Sequence, residues 1–368
     1  MPSTNTSPSR SEWRQFKVTQ IVAESAVIKS FYLEPADGVA MAPHRAGQHL
    51  PIRLAQPGGE PALLRTYTLS VAPSAQQLRI SVRKLGVGSS HLHDAIAVGD
   101  TIDCREPDGD FIIDTAPPHP VVMIAAGVGI TPILAMMTHL VDEGERTGTM
   151  RPVIFFYAAR NKAERGFDDE LDRLKARSNG KLAIIRLLQQ TDDAIIGVDY
   201  EEQGILSADV LEKYLGFRLY DFYMCGPPGF MQAVYDTLTS HGVADQRIFA
   251  EAFGPASLKR QVETRGAEPK VEPSQVAVDV TFNAAGDHGV WAPGAGSLLE
   301  FAESSGLKPD FGCREGACGA CKTPLVAGAV AYFRETSAAH ADNEVLICSA
   351  VPAAAADGTI NKLVLAIG

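Results

Sequence analysis

The 368-residue sequence predicts a multidomain protein: an antiparallel β-barrel, then an α/β domain with a doubly wound parallel sheet, then a smaller α+β module. Three observations lead to this prediction. Short alternating segments with Gly and Pro between them fill the first third of the chain. Apolar runs alternate with helix-like segments in the middle. Most of the cysteines gather near the C-terminus, which suggests metal rather than disulfides.

Composition and charge narrow the possible functions. With 45% hydrophobic and 21% charged residues, the chain is typical of globular protein. The formal net charge of −11 argues against nucleic-acid binding, because phosphates require a basic face. Residues 1–12 are polar, lack a signal-peptide core and are expected to be a mobile tail. The apolar stretch Val121–Met137 is interrupted by Pro132 and glycines, so we expect no membrane span and a soluble, cytoplasmic protein.

The β-barrel is predicted over residues 13–115. Its short segments alternate in hydrophobicity, and turn residues separate them, as is typical of a small barrel. The expected strands are Phe16 to Val22, Ala26 to Leu33, His49 to Leu54, Arg65 to Val71, Leu78 to Lys84 and Asp100 to Arg105.

The α/β domain is predicted over residues 116–254. Strands that alternate with helices indicate a doubly wound sheet, which is a nucleotide-binding architecture. The expected buried strands are Val121–Ala125, Val153–Tyr157, Leu182–Leu188 and Asp221–Met224, and the expected helices include Lys162–Arg177 and Phe230–His241.

The remaining chain is predicted as a linker and a third module. Residues 255–274 contain few large apolar groups and are expected to be the linker. Residues 275–368 form the third module, with a strand at Val276–Phe282 and a helix at Ser297–Ser305.

Four cysteines in this module have the spacing of a metal centre. Cys313, Cys318 and Cys321 are separated by four and two residues, and Cys348 follows 26 intervening residues later. This is the spacing of plant-type [2Fe–2S] clusters, which need four thiolates. A structural zinc is the alternative, although zinc sites usually pair cysteines in two close units. Cys104 lies outside the pattern and is expected to be an ordinary buried thiol.

A flavin site is predicted around the string Arg65-Thr66-Tyr67-Thr68-Leu69-Ser70. Alone, this string fits an ordinary barrel strand. Its neighbours favour a functional role: Ala46-Gly47-Gln48 precedes it, and Ile80–Lys84 and Gly86–Leu92 follow it. A flavin needs an aromatic ring, a hydrogen-bonding hydroxyl, a cation and backbone amides, and these segments supply all four.

A nicotinamide nucleotide site is predicted at Gly127-Val128-Gly129-Ile130-Thr131-Pro132, which follows a buried strand and opens a helix. Glycines let the backbone approach a pyrophosphate, and a helix N-terminus favours anions. Pro132 suits the first helical turn. The later string Met224-Cys225-Gly226-Pro227-Pro228 strengthens the prediction.

These motifs make residues 13–254 resemble the ferredoxin–NADP reductase superfamily, in which an R-x-Y-[ST] motif binds flavin. Residues 275–368 resemble plant-type ferredoxins, which have the β-grasp fold. The resemblance implies that Arg65 contacts a flavin phosphate, that Tyr67 covers the isoalloxazine ring and that Thr68 hydrogen-bonds the ring. It further implies that the rest of the flavin is held by Arg83, Gly88, Ser89 and Ser90. The Gly-Ser turn is more similar to flavohaemoglobin-type FAD enzymes than to FMN-binding reductases, so FAD is preferred over FMN.

The same resemblance assigns the nicotinamide side. It implies that Cys225 faces the hydride-transfer position, as a catalytic residue with Thr68, although a purely packed cysteine is the alternative. It also implies that Glu251 and Phe253 lie by the flavin. Arg160 or Lys162 could bind a 2′-phosphate, or both could be solvated loop charges, and NADH is preferred over NADPH. The nucleotide-binding residues implied are Gly127, Gly129, Thr131, Pro132, Arg160, Cys225 and Gly226.

The module order resembles the reductase components of Rieske-type oxygenase systems. This implies NAD(P)H-dependent reduction of FAD and single-electron transfer through the [2Fe–2S] cluster to a partner oxygenase. A reductase for another acceptor, such as a haem protein or a ferredoxin, is one alternative, and a non-enzymatic redox sensor is another. Residues 272–368 hold eleven acids against five bases, which either steers a basic partner or only aids solubility. A monomer is expected.

Overall fold

The computed structural model forms two compact units, Met1–Arg260 and Gln261–Gly368. The predicted tail, residues 1–12, lies outside the residues that the structure describes. The described residues are 13–41, 43–55, 62–253, 258–260, 271–282, 288–311, 314, 316, 319–334, 336, 338, 340–354 and 362–367.

The first unit begins with an antiparallel sheet of six strands in the order β4-β3-β6-β1-β2-β5. Its two edges meet, because Ser70 N–H donates to the Arg79 carbonyl over 2.8 Å and Leu69 pairs with Ile80. The sheet therefore closes into the predicted barrel, with Cys104 fully buried in its core. The strands are β1 (Arg14–Ala23), β2 (Ile28–Pro35), β3 (His49–Leu54), β4 (Leu63–Thr68), β5 (Leu78–Arg83) and β6 (Thr101–Cys104).

Helix α1 (Val87–Ala95) follows β5 and corrects the prediction of a turn at Gly88-Ser89-Ser90. These residues form the start of the helix. Gly86 enters it with φ +81°, a conformation that favours glycine. The Ser89 hydroxyl accepts from the Leu85 N–H over 2.7 Å and closes the entry. Local bonding of this kind is invisible in a pattern of apolar residues.

A parallel sheet in the order β10-β9-β8-β7-β11-β12 completes the first unit. Val121 and Met123 of β7 pack on the side of α2 and α3, and Val122 and Ile124 pack on the side of α4 and α5. Helices on both faces confirm the doubly wound prediction, and the strand order reverses between β7 and β11. The strands are β7 (Val121–Ala126), β8 (Val153–Ala159), β9 (Leu182–Leu188), β10 (Glu202–Gln203), β11 (Asp221–Gly226) and β12 (Ile248–Ala252). The helices are α2 (Ile130–Thr147), α3 (Asp168–Arg177), α4 (Ala208–Tyr214) and α5 (Pro228–Ser240).

The predicted continuous helix Lys162–Arg177 is wrong. A short 3-10 helix, Lys162–Glu164, is followed by a break before α3. Phe167 adopts φ +70° and buries its ring in the core that α2 and α3 share with the sheet. Burial of this ring outweighs continuation of the helix, and the acids of the first turn of α3 then favour a new N-terminus.

The second unit contains a five-stranded sheet in the order β14-β13-β19-β15-β17 and a β16-β18 pair. Strands β13 and β19 are parallel, and the other neighbours are antiparallel. Ser297 caps α6 (Leu298–Ser304) in a capping box with Glu300. This confirms the α+β prediction. The strands are β13 (Val278–Thr281), β14 (His288–Trp291), β15 (Lys322–Ala327), β16 (Val330–Tyr332), β17 (Glu344–Leu346), β18 (Ala350–Pro352) and β19 (Lys362–Leu365).

The described parts of the predicted linker contact the units beside them. Lys259 N–H donates to the Gln232 side chain, and Arg260 forms an ion pair with Asp245 at 2.8 Å. At the other end, Ser274 N–H donates to the Pro352 carbonyl. The domain boundaries stay a prediction. Within the described ranges, no helix is both long and apolar enough to cross a membrane.

Candidate functional site

The barrel and the parallel sheet meet at Thr68 and Glu251. Thr68 ends β4 and Glu251 lies in β12, 183 residues later, yet the Thr68 hydroxyl donates to Glu251 Oε2 over 3.3 Å. His49 pairs with Thr68 in the β3–β4 ladder, and its Nδ1 lies 3.9 Å from Glu251 Oε1. Sequence reasoning missed His49, although it directly follows the singled-out Ala46-Gly47-Gln48 string.

Cys225 lies next to Glu251 in the β11–β12 ladder and is fully buried. Burial, followed by the nearby Glu251 charge, raises the pKa of the Cys225 thiol well above its ordinary value. The thiol is therefore neutral at physiological pH. Phe253, two residues beyond Glu251, packs against the same hydrophobic core as Cys225. The structure thus brings Thr68, Cys225, Glu251 and Phe253 to one region of the first unit.

The glycine-rich turn, Gly127–Gly129, packs directly against the end of β11. A Cβ on Gly129 would collide with the Cys225 carbonyl group, whose carbon would be only 2.5 Å away. Gly226 is similarly crowded, since its Cβ would meet Ala126 Cβ at 3.1 Å. Only glycine permits this approach at position 129. The two strings that together predict the nucleotide site, Gly127–Pro132 and Met224–Pro228, are therefore in contact.

The turn also leads into a long helix. Gly127 adopts φ +55°, a 3-10 turn covers Gly127–Gly129, and the 18-residue helix α2 begins at Ile130. Thr131 and Pro132 are buried in its first turn, and the Thr131 hydroxyl donates to the Val128 carbonyl over 3.0 Å. The N–H groups of this helix start at the carboxyl end of β7, beside the point where the strand order reverses. This is where open α/β sheets bind anionic ligands.

Arg65 lies beside helix α1. A Cβ on Gly88 would be 3.0 Å from both Cγ and Nε of Arg65, so the arginine packs over the first turn of α1. The Ser89 hydroxyl bonds within that turn. Burial raises the pKa of Tyr67 to about 12, so this phenol stays neutral. A cation over a helix start and a half-buried aromatic ring fit the phosphate and ring of a flavin.

Arg83, which the resemblance assigns to the flavin, lies beside the glycine-rich turn that is predicted to bind the nicotinamide nucleotide. It ends β5, and its Nη1 is 3.3 Å from the position that a Cβ on Gly127 would occupy. Its Nη2 forms an ion pair with Glu164 Oε2 at 2.9 Å. Arg160 Nη1 lies 3.5 Å from Glu164 Oε1. Sequence analysis missed Glu164; its spacing of four residues from Arg160 was the available signal.

Two of the four predicted cluster ligands are described. Cys321 and Cys348 are buried in the core of the second unit, with their Sγ atoms 3.2 Å apart. Gly316 N–H donates to Cys348 Sγ over 3.2 Å, and a Cβ on Gly316 would be 2.5 Å from Thr336. Adjacent sulfurs and a backbone donor fit a thiolate-ligated [2Fe–2S] cluster. Cys313 and Cys318 lie outside the described residues, among which no group of three metal ligands is found.

Two family models match the chain. Residues 123–236 match the oxidoreductase NAD-binding domain, and residues 287–353 match the 2Fe-2S iron-sulfur cluster binding domain. The flavohemoprotein of Deinococcus radiodurans is 39% identical over 247 residues, which are 67% of this chain and 60% of that protein. The flavohemoprotein of Bordetella pertussis is 38% identical over 67% of this chain and 62% of its own length. The chain therefore spans about three fifths of the length of these curated relatives.

Solved structures agree with both matches. The FAD/NAD binding domain of nitric oxide dioxygenase from Vibrio cholerae is 33% identical, with a TM-score of 0.57, and covers 66% of this chain and 99% of its own. Phthalate dioxygenase reductase shares the fold over 96% of this chain and 98% of its own, at 22% identity and a TM-score of 0.57.

The fold and the two matched domains define an NAD(P)H oxidoreductase with a [2Fe–2S] cluster domain. The chain belongs to the ferredoxin–NADP reductase superfamily and has a C-terminal [2Fe–2S] ferredoxin domain.

Proposed function

We propose that this chain is an electron-transfer reductase that takes a hydride from NAD(P)H and delivers single electrons to a partner oxygenase. The observation that supports this proposal is the presence of an NAD-binding oxidoreductase domain and a [2Fe–2S] domain in one chain. FAD, when bound, accepts two electrons together and releases them one at a time, and the cluster carries one. The likeness in fold to phthalate dioxygenase reductase, over nearly the whole chain, supports an oxygenase as the acceptor.

Thr68 and Glu251 orient hydrogen bonds at the flavin ring. A hydroxyl has one proton, and Thr68 directs it to Glu251. With its proton directed to Glu251, Thr68 offers lone pairs to a flavin group that donates a hydrogen bond.

Cys225 supplies a neutral surface at the hydride-transfer position. Its buried thiol is held protonated, so it adds no charge beside a nicotinamide. Its backbone contact with Gly129 fixes the distance between the end of β11 and the glycine-rich turn. Cys225 therefore positions and excludes water rather than acting as a nucleophile.

The remaining residues bind the two nucleotides. We assign Arg65, Tyr67 and the start of α1 to the flavin. NADH is favoured over NADPH, because Glu164 pairs with Arg160 and offsets the positive charge that would attract a 2′-phosphate. The residues proposed for binding are Arg65, Tyr67, Thr68, Arg83, Gly88, Ser89, Ser90, Gly127, Gly129, Thr131, Pro132, Arg160, Cys225, Gly226, Glu251 and Phe253, with Cys313, Cys318, Cys321 and Cys348 for the cluster.

An anaerobic titration of the purified protein tests this proposal. NADH and then NADPH are added, and absorbance and EPR are followed. We expect NADH to bleach the flavin absorbance and to produce a rhombic [2Fe–2S] signal. Flavin reduction without that signal would contradict transfer through the cluster.

A haem protein is a second candidate acceptor. The relatives that are 38–39% identical are flavohemoproteins, and this supports a haem as the destination of the electrons. The two candidates are separated by mixing the NADH-reduced protein with a haem protein and, separately, with a Rieske-type oxygenase. Faster reoxidation by the oxygenase favours the first proposal. A chain that reduces neither acceptor nor a one-electron dye would instead fit a redox sensor.

A further inference from the structure

Strand β5 sends two arginines from the barrel to glutamates of the nucleotide-binding half of the first unit. Arg79 pairs with Glu170 of α3 at 2.8 Å, and Arg83 pairs with Glu164 at 2.9 Å. The Arg79 side chain is only 5% exposed, whereas that of Arg83 is 32% exposed. In the first pair the glutamate is the more exposed partner, and in the second pair it is the arginine, which a ligand can therefore approach.

The Arg83 pair stands where a dinucleotide pyrophosphate would arrive. Arg83 Nη1 lies against Gly127, the first glycine of the turn, and α2 begins three residues later at Ile130. A guanidinium and the positive end of an 18-residue helix together attract an anion.

In this structure the anion on Arg83 is the carboxylate of Glu164. Its Oε2 faces Arg83 and its Oε1 faces Arg160 at 3.5 Å, so one carboxylate spans two guanidiniums, as a phosphate can. Glu164 is held in place, because its N–H donates to Asn161 Oδ1 over 3.0 Å and its side chain is only 15% exposed.

We propose that Glu164 is a built-in competitor for the pyrophosphate of the nicotinamide dinucleotide. Arg83 exchanges the Glu164 carboxylate for the pyrophosphate when the nucleotide binds, and takes the carboxylate back when the nucleotide leaves. The lost ion pair offsets part of the new one, so the nucleotide binds less tightly and the oxidised product departs more readily. This inference rests on the proposed function, since it needs the glycine-rich turn to bind NAD(P)H.

The test is Glu164→Gln in the oxidised holoprotein, with Glu170→Gln as the matched control. Dissociation constants for NAD⁺ and NADP⁺ are measured by calorimetry at one ionic strength. We expect Glu164→Gln to tighten NAD⁺ by about two- to fivefold, the range for a partly exposed ion pair, and NADP⁺ by at least as much, because Arg160 is freed as well. Glu170→Gln frees an arginine on the same strand away from the turn, so both constants should stay unchanged.

Arg83→Gln provides the second variant. It should weaken both nucleotides, and adding Glu164→Gln to it should give a smaller gain than in the wild-type protein, because the competitor then occupies Arg160 alone. Flavin content and circular dichroism establish that each variant is folded.

Three results would overturn the inference: unchanged affinity in Glu164→Gln, weaker NAD⁺ binding, or a gain for NADP⁺ alone. Weaker binding would make Glu164 a direct ligand of the nucleotide, and a gain for NADP⁺ alone would place its effect at the 2′-phosphate. Failure of the wild-type protein to bind either nucleotide would instead overturn the proposed function.

Discussion

Thr68 links the barrel to the parallel sheet through its hydroxyl group. It is almost fully buried, and its hydroxyl reaches Glu251 across the junction of the two folds. A hydrogen bond from a buried hydroxyl to a carboxylate fixes the direction of both groups. The role of Thr68 is therefore separable from its volume, which a substitution can keep.

Thr68→Val should slow flavin reduction by NADH by roughly tenfold or more, since a hydrogen bond to a charged group is lost. Thr68→Ser keeps the hydroxyl and should stay within about twofold of the wild type. Anaerobic stopped-flow absorbance at saturating NADH measures both rates. Equal rates in Thr68→Val and the wild-type protein would show that flavin reduction does not need the Thr68 hydroxyl.

The glycine-rich turn and strand β11 contact each other through their backbones. Gly129 allows the two backbones to touch at Cys225, and a side chain there forces them apart. If the turn binds a nucleotide as proposed, its distance from the strand end sets where that nucleotide can lie, and binding and folding are coupled at Gly129.

Gly129→Ala should destabilise the first unit by about 1–3 kcal/mol and weaken NAD⁺ binding, because its Cβ collides with backbone. Gly229→Ala is the matched control: it lies within α5, nothing stands within 4 Å of its Cβ, and alanine favours a helix. Thermal unfolding and calorimetry with NAD⁺ measure the two effects. A Gly129→Ala protein with wild-type affinity would show that the close approach is unnecessary.

The two arginines of β5 differ in burial, so replacing them should differ in its cost to stability. Arg79→Met removes a buried arginine that bonds both the Ser70 carbonyl and Glu170, and it should cost roughly 3 kcal/mol. Arg83→Met should cost under about 1 kcal/mol, because that pair is partly solvated. Urea denaturation followed by circular dichroism compares them. Equal losses would mean that burial does not separate the two pairs.

At the scale of the whole molecule, a two-electron site and a one-electron site lie in separate compact units. Loss of the cluster should therefore spare the chemistry of the first unit. The core of the second unit contains Cys321 and Cys348, whereas Cys104 and Cys225 lie in the first unit.

Cys348→Ser should abolish the [2Fe–2S] EPR signal and lower reduction of a one-electron acceptor by about tenfold or more, while NADH still bleaches the flavin. Cys104→Ala alters a thiol outside the cluster and should keep the signal. Retention of a normal signal in Cys348→Ser would assign the fourth ligand to another residue.

The sequence predicts much of this architecture because apolar spacing reports directly on burial. Strand β9 has the bounds that the sequence predicts, Leu182–Leu188, because a nearly continuous apolar run is typical of a buried parallel strand. The glycine string before α2 was equally readable. The helix break at Phe167 cannot be predicted locally, because it depends on packing of the Phe167 ring against residues that are distant in the sequence.

The missed site residues have the same explanation. Glu164 meets Arg83 from 81 residues away, and His49 approaches Glu251 from another fold. Each residue alone resembles a solvated charge or an ordinary strand residue. Their importance arises only when the barrel and the parallel sheet pack together, and no local pattern encodes that contact.

The burial of Cys321 and Cys348 has a consequence for biogenesis. Their exposed fractions are 3% and 2%, and both belong to the hydrophobic core of their unit. Iron and sulfide must therefore reach these thiols before the core closes, or the core must open again. Metal delivery and the final collapse of this unit become one event. In cells starved of iron, newly made chains should accumulate with this unit incompletely folded, while the first unit is already folded and holds its flavin.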